Sequence, residues 1–173
     1  YPDNAVASYT YNKQGGIETV SLQPPASSLQ PIVTAVDYNA AGQITKLVYG
    51  NGTVSDSTFN PQTLRLDTLR TTGPSGTLQD FSYAFDPVGN VTAITDRVHT
   101  ATQSFGYDDL NRLTSASGSY GHVTYAYDAI GNMLSKEGVT MTYGLPNGSQ
   151  PHAVTAVGSG LGAGGAGLAL TYD

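Results

Sequence analysis

Apolar residues in this chain come in short runs, and one recurring phrase separates them. An aromatic is followed at once by Asp or Asn. A turn residue stands four positions after the aromatic, and an aliphatic usually stands six after. The copies begin at Tyr11-Asn12, Tyr38-Asn39, Phe59-Asn60, Phe85-Asp86, Tyr107-Asp108 and Tyr127-Asp128, with the start of a seventh at Tyr172-Asp173. The six starts are 27, 21, 26, 22 and 20 residues apart. Self-similarity at such a period marks a repeat array. Arrays of this kind build surfaces, shells and spacers more often than a single catalytic centre.

The chemistry of the phrase predicts a chain reversal. The fourth residue after the aromatic is Gly15, Gly42, Gly89 and Gly131 in four copies, Asn111 in a fifth and Thr63 in the sixth. Gly reaches positive φ without cost and Asn is the next most tolerant residue. Asn12, Asn39, Asn60, Asp86, Asp108 and Asp128 can each bond the backbone two residues on, closing an Asx-type turn. Each phrase thus reads as strand end, tight turn and strand start. Pro61 gives the Phe59 copy a turn of another type. Ile17, Ile44, Val91, Leu113 and Met133 stand six past the aromatic, and Val20, Leu47, Ile94, Ala116 and Lys136 nine past. Six and nine have opposite parity, so either both faces are partly covered or a bulge intervenes.

Further turns fill the gaps. Asn51-Gly52 signals a two-residue hairpin. Gly73-Pro74-Ser75-Gly76, Gly118-Ser119-Tyr120-Gly121 and Pro146-Asn147-Gly148 also read as turns. The expected fold is all-β, an antiparallel β-hairpin repeat array of about 12–16 strands in one curved sheet. The aromatics Tyr11, Tyr38, Phe59, Phe85, Tyr107 and Tyr127 should stack on one face, most of them more than half buried. Residues 1–145 read as the repeat sheet. Residues 146–173 read as a turn, a glycine-rich loop at 158–167 and a restarting strand, within the same domain.

Composition narrows the function classes. A chain of 173 residues is long enough for a modest domain with a real core. Seven basic residues against 13 acidic ones give a net charge of −6, which argues against nucleic acid. The basic residues are scattered singly. There is no Cys, so disulfides and thiolate metal sites are excluded. No stretch is long and apolar enough for a membrane-spanning helix. Tyr1-Pro2-Asp3 carries neither a starting Met nor a signal-peptide pattern, so both ends read as cut from a longer polypeptide.

Chemistry-bearing motifs yield to simpler readings. Gly162, Gly164 and Gly167 match G-x-G-x-x-G, but no helix-forming sequence follows. His99, His122 and His152 lack metal-site spacing. Asp86, Asp108 and Asp128 are already explained by their turns, so neither they nor Asp109 read as catalytic acids. The sequons at Asn51, Asn90 and Asn147 lie on or beside turns, and turn chemistry accounts for them. No catalytic, cofactor-binding or metal site is expected.

The phrases Tyr-Asp-Ala-Ile-Gly-Asn-Met-Leu at 127–134, Phe-Asp-Pro-Val-Gly-Asn-Val-Thr at 85–92 and Tyr-Asp-Asp-Leu-Asn-Arg-Leu-Thr at 107–114 resemble the YD repeat of the Rhs family. The stretch from Val36 to Leu66 is similar to the repeat region of bacterial insecticidal toxin complexes. The resemblance covers about residues 9–145. It implies a sheet that spirals into a hollow shell enclosing a C-terminal toxin polypeptide, secreted or at the cell surface. Implied partners are further repeats and the enclosed polypeptide, with self-association through open sheet edges. A related barrel in teneurins implies the alternative, an adhesion or carbohydrate- or protein-binding module. The self-cleavage signature Asp-Pro-x-Gly-Leu that ends the bacterial core is absent. Asp86-Pro87-Val88-Gly89 is followed by Asn90.

Overall fold

The structure, a computed structural model, describes residues 2–145, 148–158 and 168–170. The described residues form fifteen strands: β1 Val6–Tyr11, β2 Ile17–Gln23, β3 Gln30–Tyr38, β4 Ile44–Tyr49, β5 Val54–Phe59, β6 Leu66–Gly73, β7 Gly76–Phe85, β8 Val91–Asp96, β9 Ala101–Tyr107, β10 Leu113–Gly118, β11 Gly121–Tyr127, β12 Met133–Lys136, β13 Val139–Tyr143, β14 Val154–Val157 and β15 Leu168–Ala169. They form one antiparallel sheet in chain order, β1 to β15. Two compact units divide the chain, Tyr1–Ala84 with Ile94–Thr102, and Phe85–Ala93 with Gln103–Asp173.

The phrase sets the strand boundaries. Tyr11, Tyr38, Phe59, Phe85, Tyr107 and Tyr127 each close a strand, and Ile17, Ile44, Val91, Leu113 and Met133 each open the next. The reversal between them needs a residue in the left-handed region. Gly15, Gly42, Gly89, Gly131 and Asn111 have φ of 83°, 78°, 113°, 95° and 60°. The Phe59 copy differs. Thr63 is not its left-handed residue; Leu64 is, with φ 57°. Leu64 N–H donates to Asn60 O at 2.8 Å, so this turn is one residue longer and β6 opens at Leu66. Pro61 has no N–H and fixes its own φ, which favours the wider loop.

A bulge settles the parity of positions six and nine. Tyr11 pairs with Ile17 while Thr10 pairs with Thr19; Tyr38 pairs with Ile44 while Asp37 pairs with Lys46; Tyr127 pairs with Met133 while Ala126 pairs with Ser135. The residue seven past the aromatic is the extra one each time, here Glu18, Thr45 and Leu134. One inserted residue reverses the alternation, so positions six and nine share the face of the aromatic. Val36 accordingly pairs with Leu47, and Phe105 with Ala116.

The Asn51-Gly52 hairpin is not the two-residue kind. Gly52 N–H donates to Tyr49 O at 3.0 Å, and only Gly52 of the pair has positive φ, at 81°. That is a three-residue loop ending in a left-handed glycine, the same design as the phrase. Pro24-Pro25 forms the turn between β2 and β3, where Ser27 N–H donates to Pro24 O. The glycine loop, the Pro146-Asn147 corner and the restart at Tyr172 lie outside the described residues.

The expectation of a real core fails. Among the described residues the buried apolar side chains are Ala5, Ala116 and Val123, and no large side chain is fully buried. A core needs two packed layers, and consecutive strands pairing side by side supply one. The aromatics nevertheless lie well covered. Tyr38, Phe59, Phe85, Tyr107 and Tyr127 are more than half buried, whereas Tyr11, in the first strand of the sheet, is 60% exposed.

Candidate functional site

The turn row concentrates the polar chemistry of the chain. In each unit the Asp or Asn of the phrase ties its own turn. Asn39 Oδ1 accepts from the backbone N–H groups of Ala41 and Gln43, both at 3.0 Å. Asp108 Oδ1 accepts from those of Leu110 and Arg112, both at 2.9 Å. Asp128 Oδ1 accepts from those of Ile130 at 3.0 Å and Asn132 at 2.9 Å. Asp86, Asn12 and Asn60 do the same in their own turns.

The fifth residue past the aromatic then reaches to the next turn. Gln43 Nε2 donates to Leu64 O at 2.7 Å. Asn90 Nδ2 donates to Asp86 Oδ2 and to Asn111 Oδ1, both at 2.8 Å. Arg112 donates through Nε to Asp108 Oδ2 at 2.7 Å and through Nη1 to Asp128 O at 2.8 Å. Its guanidinium also lies 4.9 Å from the centre of the Tyr127 ring. Asn132 Nδ2 donates to Asp128 Oδ2 at 2.7 Å and to Pro151 O at 2.9 Å. His152 Nδ1 faces Asn132 Oδ1 at 2.7 Å, and because the amide oxygen only accepts, this nitrogen carries the proton.

A second stitch runs backwards. The hydroxyls of Tyr38, Tyr107 and Tyr127 donate to Ile17 O at 2.8 Å, Val91 O at 2.8 Å and Leu113 O at 3.0 Å. Each acceptor stands six past the preceding aromatic. Tyr143 does the same to Met133 O at 2.9 Å, which makes Tyr143 an additional repeat start. Sequence reading missed it because Gly144, with φ 80°, replaces the usual Asp. The fifth-position residues were also missed. Their signal is a side-chain donor, Gln43, Asn90, Arg112 or Asn132, in four of six copies.

Replacing Tyr127 or Tyr143 by Phe removes one hydroxyl and nothing else. Each should cost about 1 kcal/mol, measured by urea denaturation against the parent chain. A loss below about 0.3 kcal/mol at both would contradict a stitching role.

The turn carboxylates are held below their ordinary range. Backbone hydrogen bonding from Arg112, added to that of its side chain and of Leu110, holds Asp108 below its ordinary value of 3.8. Partial desolvation pushes Asp86 and Asp128 up, but the side-chain and backbone hydrogen bonds from Asn90 and Asn132 outweigh it, and both lie lowered. A carboxyl depressed in the folded state contributes stability above the unfolded value and loses it as pH falls through the folded one. The melting temperature should therefore be flat from neutrality to about pH 4 and fall below it. Asp108→Asn and Asp128→Asn should each flatten that fall; an unchanged acid limb in both would refute the assignment.

Other candidate chemistry is dispersed. His99 pairs with Asp96 and His122 with Ser117, each at 2.7 Å. Among the described residues no group of three or more His, Cys, Asp or Glu could hold a metal ion. No described helix is long and apolar enough to cross a membrane. A hollow of about 900 Å³ opens beside the first two turns, lined by Asn12, Gly16, Tyr38 and Asn39 among others.

Residues 85–123 match the RHS Repeat family model. That stretch holds the Phe85 and Tyr107 phrases and the first of the junctions where both stitches are present. Toxin subunit YenC1 of Yersinia entomophaga is 36% identical over 92 residues, covering 50% of this chain and 9% of that subunit. Toxin subunit YenC2 of the same organism is 41% identical over 73 residues, covering 39% of this chain and 8% of the subunit. Residues 85–123 thus carry the RHS repeat, and the chain is related to Tc toxin subunits. Solved structures agree on the fold. TcdB2–TccC3 superposes with a TM-score of 0.77 at 23% identity, covering 88% of this chain and 10% of that one. The Photorhabdus luminescens Tc holotoxin pore gives 0.76 at 23% identity, covering 87% of this chain and 9% of that one. The chain thus spans about a tenth of the length of the relatives it matches.

Proposed function

We propose that this chain is a stretch of wall in a secreted bacterial toxin shell, where it encloses a toxin polypeptide and performs no catalysis itself. The observation that carries the reading is the pair of stitches at the three successive junctions from Phe85 to Tyr143. Asn90 and Tyr107, Arg112 and Tyr127, and Asn132 and Tyr143 each join one repeat to the next by the same two donors. A rule that repeats can extend without limit, which suits a wall. The scarcity of buried apolar side chains among the described residues also suits one, since a wall borrows its second layer from what it surrounds. Its partners are then further repeats and the enclosed polypeptide, and the likeness to toxin subunits supports a secreted location.

Protease protection tests this in the natural polypeptide that contains these repeats. A segment outside the repeats should survive limited proteolysis in the intact protein. It should be cut once the wall is weakened by Asn132→Asp. Equal cleavage in both would overturn the reading.

A further inference from the structure

The three cations Lys46, Arg70 and Arg97 look isolated in the sequence, yet strand register lines them up with three carboxylates. Asp37 pairs with Lys46, Lys46 with Asp56, Asp56 with Arg70, and Arg70 with Asp80. Arg97 completes the row: its backbone N–H donates to Asp80 O at 2.8 Å, and its Nη1 lies 3.1 Å from Asp80 Oδ1. Arg70 Nε lies 3.8 Å from Asp80 Oδ2. Directly opposed residues share a face, so one face carries Asp37, Lys46, Asp56, Arg70, Asp80 and Arg97 as an unbroken alternation of sign. Six residues on successive strands span about 24 Å at ~4.8 Å per strand. Asp37, Asp56, Arg70 and Arg97 are exposed. The flanking positions on this face are short side chains, Val48, Val54 and Thr72 on one side and Thr58 and Thr68 on the other, so another sheet face can approach.

We propose that this row is a self-association surface for a second copy of the same chain. A two-fold interface must be self-complementary. The row reads minus to plus from Asp37 and plus to minus from Arg97. A two-fold axis between Asp56 and Arg70 therefore sets Asp56 against Arg70, Lys46 against Asp80 and Asp37 against Arg97 of the second copy, every charge facing its opposite. The row itself is neutral, three cations with three carboxylates. The rest of the chain carries four cations against ten carboxylates, so the row is where two like-charged copies meet with least repulsion.

Sedimentation equilibrium of the full chain from about 10 µM to about 1 mM, at about 20 mM and about 500 mM salt, tests this. The expected result is a reversible dimer at low salt that dissociates at high salt. Asp56→Arg alone and Arg70→Asp alone should each weaken dimerisation by at least about tenfold. Mixing the two variants should restore a heterodimer, because their central positions are then opposite in sign. Asp37→Arg with Arg97→Asp repeats the design at the exposed row ends, should a central variant fail to fold by circular dichroism. A monomer at every concentration overturns the proposal. So does a dimer of unchanged affinity in the single variants, which would indicate pairing through strand edges. Failure of mixing to restore the complex overturns it too.

Discussion

Gly50→Ala should cost about 3 kcal/mol or more, far beyond what its place outside the phrase suggests. Gly50 N–H donates to Ile32 O at 3.0 Å, which brings the end of β4 against the start of β3. A β-carbon at Gly50 would stand 1.8 Å from Pro31 O and 2.7 Å from Pro31 C. Both are backbone atoms, so no side-chain rotation relieves the clash, and the two strands must part. Gly42→Ala is the control. There a β-carbon meets nothing within 4 Å, but φ is +78°, and the cost should be about 1 kcal/mol. Urea denaturation of both variants measures the difference. Equal costs would show that β3 and β4 do not approach as described.

Asn132 gives the second large effect. It is 7% exposed and spends its whole amide: two donated bonds to Asp128 Oδ2 and Pro151 O, and one accepted from His152. Asn132→Ala leaves those partners without it, and about 2–3 kcal/mol should be lost. Asn132→Asp is shaped alike but places a second carboxylate 2.7 Å from Asp128 Oδ2, where like charges disfavour joint ionisation. The Asp variant should be less stable than the Ala variant at pH 7 and recover as pH falls, when the pair shares a proton. Thermal melts at several pH values read this directly. An Asp variant as stable as the parent at neutral pH would contradict the geometry.

The fold was legible because the phrase is local. An aromatic, a turn-tying Asp or Asn and a left-handed Gly fix where a strand ends and the next begins, and those boundaries agree with β1 to β12. What the sequence hid depends on register. The bulge at the seventh position, exemplified by Thr45 and Leu134, cannot be read from alternation, since either a bulge or two covered faces gives the same pattern. The longer turn ending at Leu64 turned on how Pro61 reshapes its loop. The stitching role of Arg112 and Asn132 requires knowing that successive turns lie side by side. The charge row is the extreme case. Positions 37, 46, 56, 70, 80 and 97 have no regular spacing, because the loops between their strands differ in length, and only pairing brings them into line. Tyr143 escaped because the phrase was sought with its Asp, whereas its hydroxyl keeps the contact to Met133 without one.

Electron cryo-microscopy of the natural polypeptide containing these repeats is the most direct test of the wall. The account predicts a closed shell in which β1 to β15 lie within the wall, each flanked by further repeats, with polypeptide density inside. A solid globule, or this segment projecting as a separate module with both sheet faces in solvent, would contradict it.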